Sequence, residues 1–228
     1  MHTNRQNKSW IVCLSTFPPR QCGIATFTAD LTHTIDQMFS LSVKSKIIAM
    51  NLTEVTPFPY PDKVILQISQ PRKEDYVNAA DKLNQLEKVR LVNIQHEFGI
   101  FGGEYGSHLL LLLEKLQKPV VTTLHTVLPA PDERMRNIVQ TVMKYSQGII
   151  VMTHSSKEIL EKDYGLDSDR IQVIPHGIHN VPYRASEHAK SVLGFSGKLV
   201  LSTFGLLNPG KGIEYVIKAL PPVVEKFP

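Results

Sequence analysis

Short β-branched runs alternate with longer amphipathic segments along most of this chain, and that rhythm constrains its fold more than any other feature. Residues 10–16 (WIVCLST), 46–51, 64–68, 90–95 (RLVNIQ), 119–124 (PVVTTL), 148–152 and 171–174 read as strands. Between them, residues 24–39, 74–88, 105–117, 132–146 and 155–164 read as helices. In the first helix Ile24, Phe27, Leu31 and Ile35 recur at helical spacing and mark an apolar face. Strands joined through helices pair in parallel, and a parallel sheet is covered on both faces. The expected fold class is therefore α/β, a doubly wound parallel sheet. Such sheets bind ligands at the carboxyl ends of their strands.

The rhythm breaks after Pro175. Residues 176–197 are polar, include Pro182 and read as a linker. It then restarts, with a strand at 198–204 (KLVLSTF), a Gly/Pro loop at 205–211 and a helix at 212–220. One strand and one helix cannot bury their own apolar faces. The expected organisation is a first domain at 1–175, a linker at 176–197, and the first β-α unit of a truncated second domain at 198–228.

Composition narrows the class. Of the 228 residues, 42% are hydrophobic and 20% charged, enough apolar material for a large core. A net charge of +4 fits a solvated surface, or attraction to anionic ligands such as sugar phosphates and acidic lipid heads. Cys13 and Cys22 form neither a disulfide framework nor a zinc site, and suit a reducing compartment. The start MHTNRQNKSW has no apolar signal core, and the run 109–113 is too short to span a bilayer. The expectation is a cytoplasmic protein, with peripheral membrane contact left open and no nucleic-acid partner.

Four segments that follow strands carry candidate chemistry. Residues 17–25 (FPPRQCGIA) lead into the first helix. There Gly23 permits a tight turn and close approach of a ligand, and the helix start offers free N–H groups to an anion. Arg20 can add a guanidinium; the same residues also fit a plain helix cap. G-x-G-x-x-G is absent, which argues against a nicotinamide-dependent oxidoreductase. Residues 95–104 (QHEFGIFGGE) put His96, Glu97, Gly102 and Gly103 in a shaped loop, read as a sugar-contacting wall or as a turn around a satisfied histidine. The metalloprotease pattern H-E-x-x-H fails at Ile100.

His125 stands directly after the strand 119–124, where it can donate or accept near neutral pH, or serve as a hydrogen-bonded structural histidine. Residues 205–211 spell G-x-x-x-x-G-K, but Gly212 supplies no hydroxyl for Mg²⁺, which argues against a P-loop hydrolase. Gly205, Lys211 and the following helix start still suit a diphosphate, and also fit a turn with a surface lysine. His176 and His179 lack a third ligand, so they read as part of a hinge turn, and no metal site is expected.

Taken in order, these segments resemble glycosyltransferase family 4, a large retaining family with the GT-B fold. CGIATF (22–27) resembles its glycine loop, and TLHT (123–126) the segment of its acceptor-site histidine. VMTHSSKEIL (151–160) resembles a late segment of the first domain, and VIPHGI (173–178) the interdomain turn. STFGLLNPGKGIEYVIKAL (202–220) resembles the opening of the donor domain. The resemblance implies a Rossmann-like acceptor-side domain followed by the start of a donor-side one. It implies transfer of a sugar from a nucleotide-diphosphate sugar to a carbohydrate or lipid-linked acceptor, with no metal or cofactor in the site.

By position, the resemblance puts Gly23 and Ile24 near the donor diphosphate, His125 at the transferred sugar or the acceptor, and Lys211 on the diphosphate. One departure is Gly205-Leu206, where the family often has Gly-Arg; Arg20 is the candidate substitute. The family's glutamate-rich motif and its base and ribose contacts lie in the part of the second domain not contained in this sequence, so the fragment alone is expected to be inactive. No residue carries the signature of an activated covalent nucleophile, so front-face attack assisted by the leaving phosphate is expected. The alternative is a non-catalytic sugar- or partner-binding domain of the same fold.

Overall fold

The structure is a computed structural model and describes residues 8–53, 58–205, 207 and 209–227. The chain divides into two units, Met1–Gly177 and Ile178–Pro228.

The first unit is a parallel sheet in the order β3-β2-β1-β4-β5-β6-β7. Its strands are β1 (Ser9–Ser15), β2 (Val43–Asn51), β3 (Val64–Ser69), β4 (Val89–His96), β5 (Val120–Leu124), β6 (Gly148–Val151) and β7 (Ile171–Val173). The helices are α1 (Gly23–Met38), α2 (Lys73–Gln85), α3 (Leu109–Lys115), α4 (Glu133–Tyr145) and α5 (His154–Tyr164). All seven expected strands form in this unit, and the fold is a Rossmann-like α/β sheet. The order runs outward from β1 in both directions, so the switch point lies between β1 and β4.

Side chains alternate across a strand, and here the two faces differ in chemistry. On one face Val12, Leu14, Ile48, Met50, Val92 and Ile94 meet Tyr76, Leu83, Leu109 and Leu112 in an apolar core. On the other face, buried polar groups tie the sheet to α1. The Ser15 and Thr28 hydroxyls lie 2.6 Å apart, and Ser45 Oγ donates to Thr32 O at 3.0 Å. Thr28 and Thr32 also return hydrogen bonds to Ile24 O and Thr28 O within the helix, so these buried hydroxyls are satisfied.

Caps set the boundaries of α4 and α5. Asp132 accepts from Met135 N at 2.7 Å to start α4, and Thr153 accepts from Ser156 N at 3.0 Å to start α5. Gly165, at φ +66°, ends α5 in the left-handed conformation. The helix expected from residue 105 begins only at Leu109. Gly103 and Gly106 take positive φ, and Tyr105 itself sits at φ +51°, so a separate turn precedes α3.

The second unit contains α6 (Ser186–Leu193) and α7 (Ile213–Lys226). α6 lies inside the segment expected to be a plain linker, and Gly194 ends it at φ +75°. The strand expected at 198–204 does not form. A strand needs a neighbour to satisfy its backbone, and the described residues of this unit contain no other strand. Leu199, Leu201 and Phe204 are exposed. No helix among the described residues is long and apolar enough to cross a membrane.

Candidate functional site

The loops leaving β1, β4 and β5 meet at the carboxyl edge of the sheet. The β1 loop runs from Thr16 through a cis Pro18–Pro19 bond to Cys22, and α1 then starts at Gly23. The Cys22 side chain does not cap α1, and the first turn of the helix contains no acidic residue. Among the described residues its leading N–H groups find no side-chain acceptor, next to the positive end of a 16-residue helix. A Cβ built on Gly23 meets nothing within 4 Å. Protein packing does not explain the glycine, and the space above it is open. Arg20 reaches the same edge, where its Nη1 donates to Met50 O at 2.9 Å. A guanidinium carries further donors, so this bond does not exhaust it.

His125 faces α1. Its ring meets Phe27 edge-on at 4.9 Å between centroids, and Phe27 meets His176 at 5.4 Å. The two imidazoles lie 6.0 Å apart. His125 Nε2 is 2.8 Å from Gln95 Oε1, and Gln95 Nε2 donates to Asn93 Oδ1. Asn93 Nδ2 donates to Val121 O at 3.2 Å. These groups share a face because β4 and β5 pair with Asn93 opposite Val121 and Gln95 opposite Thr123. Burial, aided by the neighbouring His176, pushes the half-buried His125 down to about 4, so the ring is neutral at pH 7.

His96 ends β4 on the opposite face. It is 1% exposed, stacks on Phe101 at 5.8 Å and meets the edge of Phe98 at 5.3 Å. Among the described residues, neither imidazole nitrogen has a hydrogen-bond partner. Burial, with His125 nearby, pushes it down to about 4. The loop around it is braced by Glu97, which accepts from Phe98 N at 3.0 Å and from Thr126 Oγ1. Gly102 is buried, its N–H donates to Tyr76 Oη at 3.0 Å, and a Cβ there would sit 1.9 Å from Gln70 O. Gly103, at φ +79°, has Ser107 Oγ 2.3 Å from such a Cβ.

The structure links His125 to α1 through Phe27, one turn after Gly23 and Ile24, with Arg20 on the loop that precedes the helix. His96 and Glu97 stand at the next strand end; Gly102 packs back against Gln70 in the β3–α2 connection, and Gly103 against Ser107 and His108 just before α3. Gly205 (φ +113°) and Lys211 belong to the second unit, and Leu206 lies outside the described residues. Among the described residues, no group of three or more His, Cys, Asp or Glu side chains is placed to hold a metal ion.

Sequence reasoning missed Asn93, Gln95, Phe27 and His176 as neighbours of His125. For the first two a signal existed. Two polar residues at alternate positions of a strand expected to be buried on both faces must find partners, and Asn93 and Gln95 found each other.

The family model for Glycosyltransferase Family 4 matches residues 52–180, more than half of the chain, and includes His96, His125 and His176. A glycosyltransferase crystal structure from Rickettsia africae ESF-5 is similar in fold, with a TM-score of 0.56 at 16% identity. The likeness covers 84% of this chain and 51% of that one, so the present chain spans about half of its length. No curated protein matches the chain.

Proposed function

The chain belongs to glycosyltransferase family 4, and from that premise we propose that the protein transfers a sugar from a nucleotide-diphosphate sugar to a carbohydrate or lipid-linked acceptor, with retention of configuration. The observation that carries this reading is the uncapped start of α1 with open space over Gly23, beside the half-buried His125.

In this reading the donor diphosphate approaches the backbone of Gly23 and Ile24. Departure of the diphosphate gathers negative charge in the transition state. N–H groups aimed at that charge stabilise it more than the ground state, which is what lowers a barrier. Arg20 adds a guanidinium to that grip; Gly205 and Lys211, in the second unit, offer a phosphate-binding loop of their own. His125 contacts the transferred sugar or acceptor as a neutral ring. His96, Glu97, Gly102 and Gly103 fix the shape of the wall against which the acceptor docks. Attack occurs from the front face with the leaving phosphate assisting, and no metal or cofactor takes part. Both cysteines are free thiols, which supports a reducing, cytoplasmic setting.

The test uses the full-length protein. UDP, GDP and ADP are titrated calorimetrically against the wild type and Gly23→Val. The expected result is binding of one nucleotide and its loss in the variant, with the folded state kept. Equal binding by both would remove the diphosphate from this loop. Donor and acceptor binding without transfer would favour a binding module of the same fold.

A further inference from the structure

The hydrogen bonds behind His125 form a chain whose direction is fixed at one end. A backbone carbonyl can only accept, so the Asn93 atom 3.2 Å from Val121 O must be its amide nitrogen. Asn93 Oδ1 then faces Gln95, and only the Gln95 amide nitrogen can donate to it. That turns Gln95 Oε1 toward His125 Nε2 at 2.8 Å. An amide oxygen accepts and never donates, so the imidazole proton belongs on Nε2. Each step follows from the one before, beginning at a main-chain atom whose place is set by the β4–β5 pairing. Cys13 Sγ, 3.9 Å from Asn93 Oδ1, adds a weak donor to the same acceptor and does not compete with it.

We infer that Gln95, oriented by Asn93, is a positioning residue that locks His125 as the Nε2–H tautomer and leaves Nδ1 as a lone-pair acceptor for a hydroxyl of the bound sugar. The ligand part rests on the transfer reading above; the tautomer part does not. Gln95 is fully buried and Asn93 nearly so, and neither touches the open edge of the sheet. Among the described residues no hydrogen-bond partner is found for Nδ1. The ring is half-buried, with Phe27 against it. A lone pair held in this way rewards a hydroxyl donor and penalises a carbonyl, ether or phosphate oxygen, which leaves two acceptors facing each other. The role of His125 becomes specific: it accepts a hydrogen bond and is not poised as a general acid.

The tautomer is read without any substrate, by ¹H–¹⁵N correlation of imidazole nitrogens in the 228-residue chain labelled with ¹⁵N-histidine. His125→Gln identifies the signals. The expected wild-type pattern has a pyrrole-type Nε2 and a pyridine-type Nδ1. Gln95→Glu keeps an acceptor toward Nε2 but sets a second one against Asn93 Oδ1, so it should hold the Nε2 proton while making the ring easier to protonate. Gln95→Met removes the acceptor, and Asn93→Leu releases the Gln95 amide to rotate; both should give averaged or Nδ1–H patterns. An Nδ1–H or averaged ring in the wild type overturns the inference. So does an unchanged pattern in both Gln95→Met and Asn93→Leu. Transfer by the full-length protein is a separate measurement, so a locked tautomer in a protein that transfers no sugar would count against the transfer reading alone.

Discussion

Glycine stands in both loops that flank the β1–β4 switch point, for different reasons. At Gly102 the protein itself demands it, because Gln70 O lies 1.9 Å from where a Cβ would go. At Gly23 the protein demands nothing, since that space is open. The histidines beside them differ in the same sense. His96 is sealed with both nitrogens unpartnered, whereas His125 is half-buried and held from behind by a polar chain. The β4 loop is a piece of packed structure, and the β1–α1 junction is open above its glycine. A glycine motif in a sequence does not distinguish the two; the atoms around it do.

Gly102→Ala should break the packed side of this comparison most severely. Forcing a methyl into a carbonyl at that distance costs about 3 kcal/mol or more, read as a lower denaturant midpoint at unchanged slope. A stable Gly102→Ala protein would mean that the loop moves freely. On the open side, His125→Ala in the full-length protein should lower kcat/KM about tenfold, the value of one lost hydrogen bond, while leaving the unfolding midpoint nearly in place. Unchanged turnover would remove His125 from the site.

A smaller effect separates the two histidines by pH. Both have folded pKa values near 4, below the ordinary histidine value, chiefly through burial. The unfolded chain therefore binds more protons between about pH 4 and 6.5, and stability rises with pH through that window. Urea midpoints should fall between pH 7 and pH 5. His96→Phe should flatten part of that slope and raise stability at pH 7 by about 1 kcal/mol, because an apolar ring replaces two unsatisfied nitrogens. If His96→Phe destabilises instead, those nitrogens have a partner such as a buried water. The smallest change is expected for Gly23→Ala, within about 0.5 kcal/mol of wild type or slightly more stable. Donor affinity should nevertheless drop.

The strand–helix rhythm made most of the first unit legible, because each element there carries its own periodic signal. The misreading at 198–204 has the opposite cause. KLVLSTF has strand chemistry, but pairing is a property of two segments, and the described residues of that unit hold no other strand. Tyr105 was hidden for a similar reason. Its left-handed backbone lies between Gly103 and Gly106, both at positive φ, and its hydroxyl donates to Asp132, a contact that no local helical pattern reveals. The site was legible as strand ends and no further. Gly23 and His125 could be named singly. That Phe27 bridges His125 and His176, and that Asn93 reaches His125 through Gln95, depends on which strands neighbour which.

The parity of β4 and β5 has one more consequence. Gln95 and His125 project to one side of the sheet, and His96 with Phe98 and Phe101 to the other. The sheet acts as a partition between two separately adjustable compartments. Substitutions among the aromatics around His96 can remodel one lip of the crevice while the amide relay behind His125 keeps its hydrogen bonds.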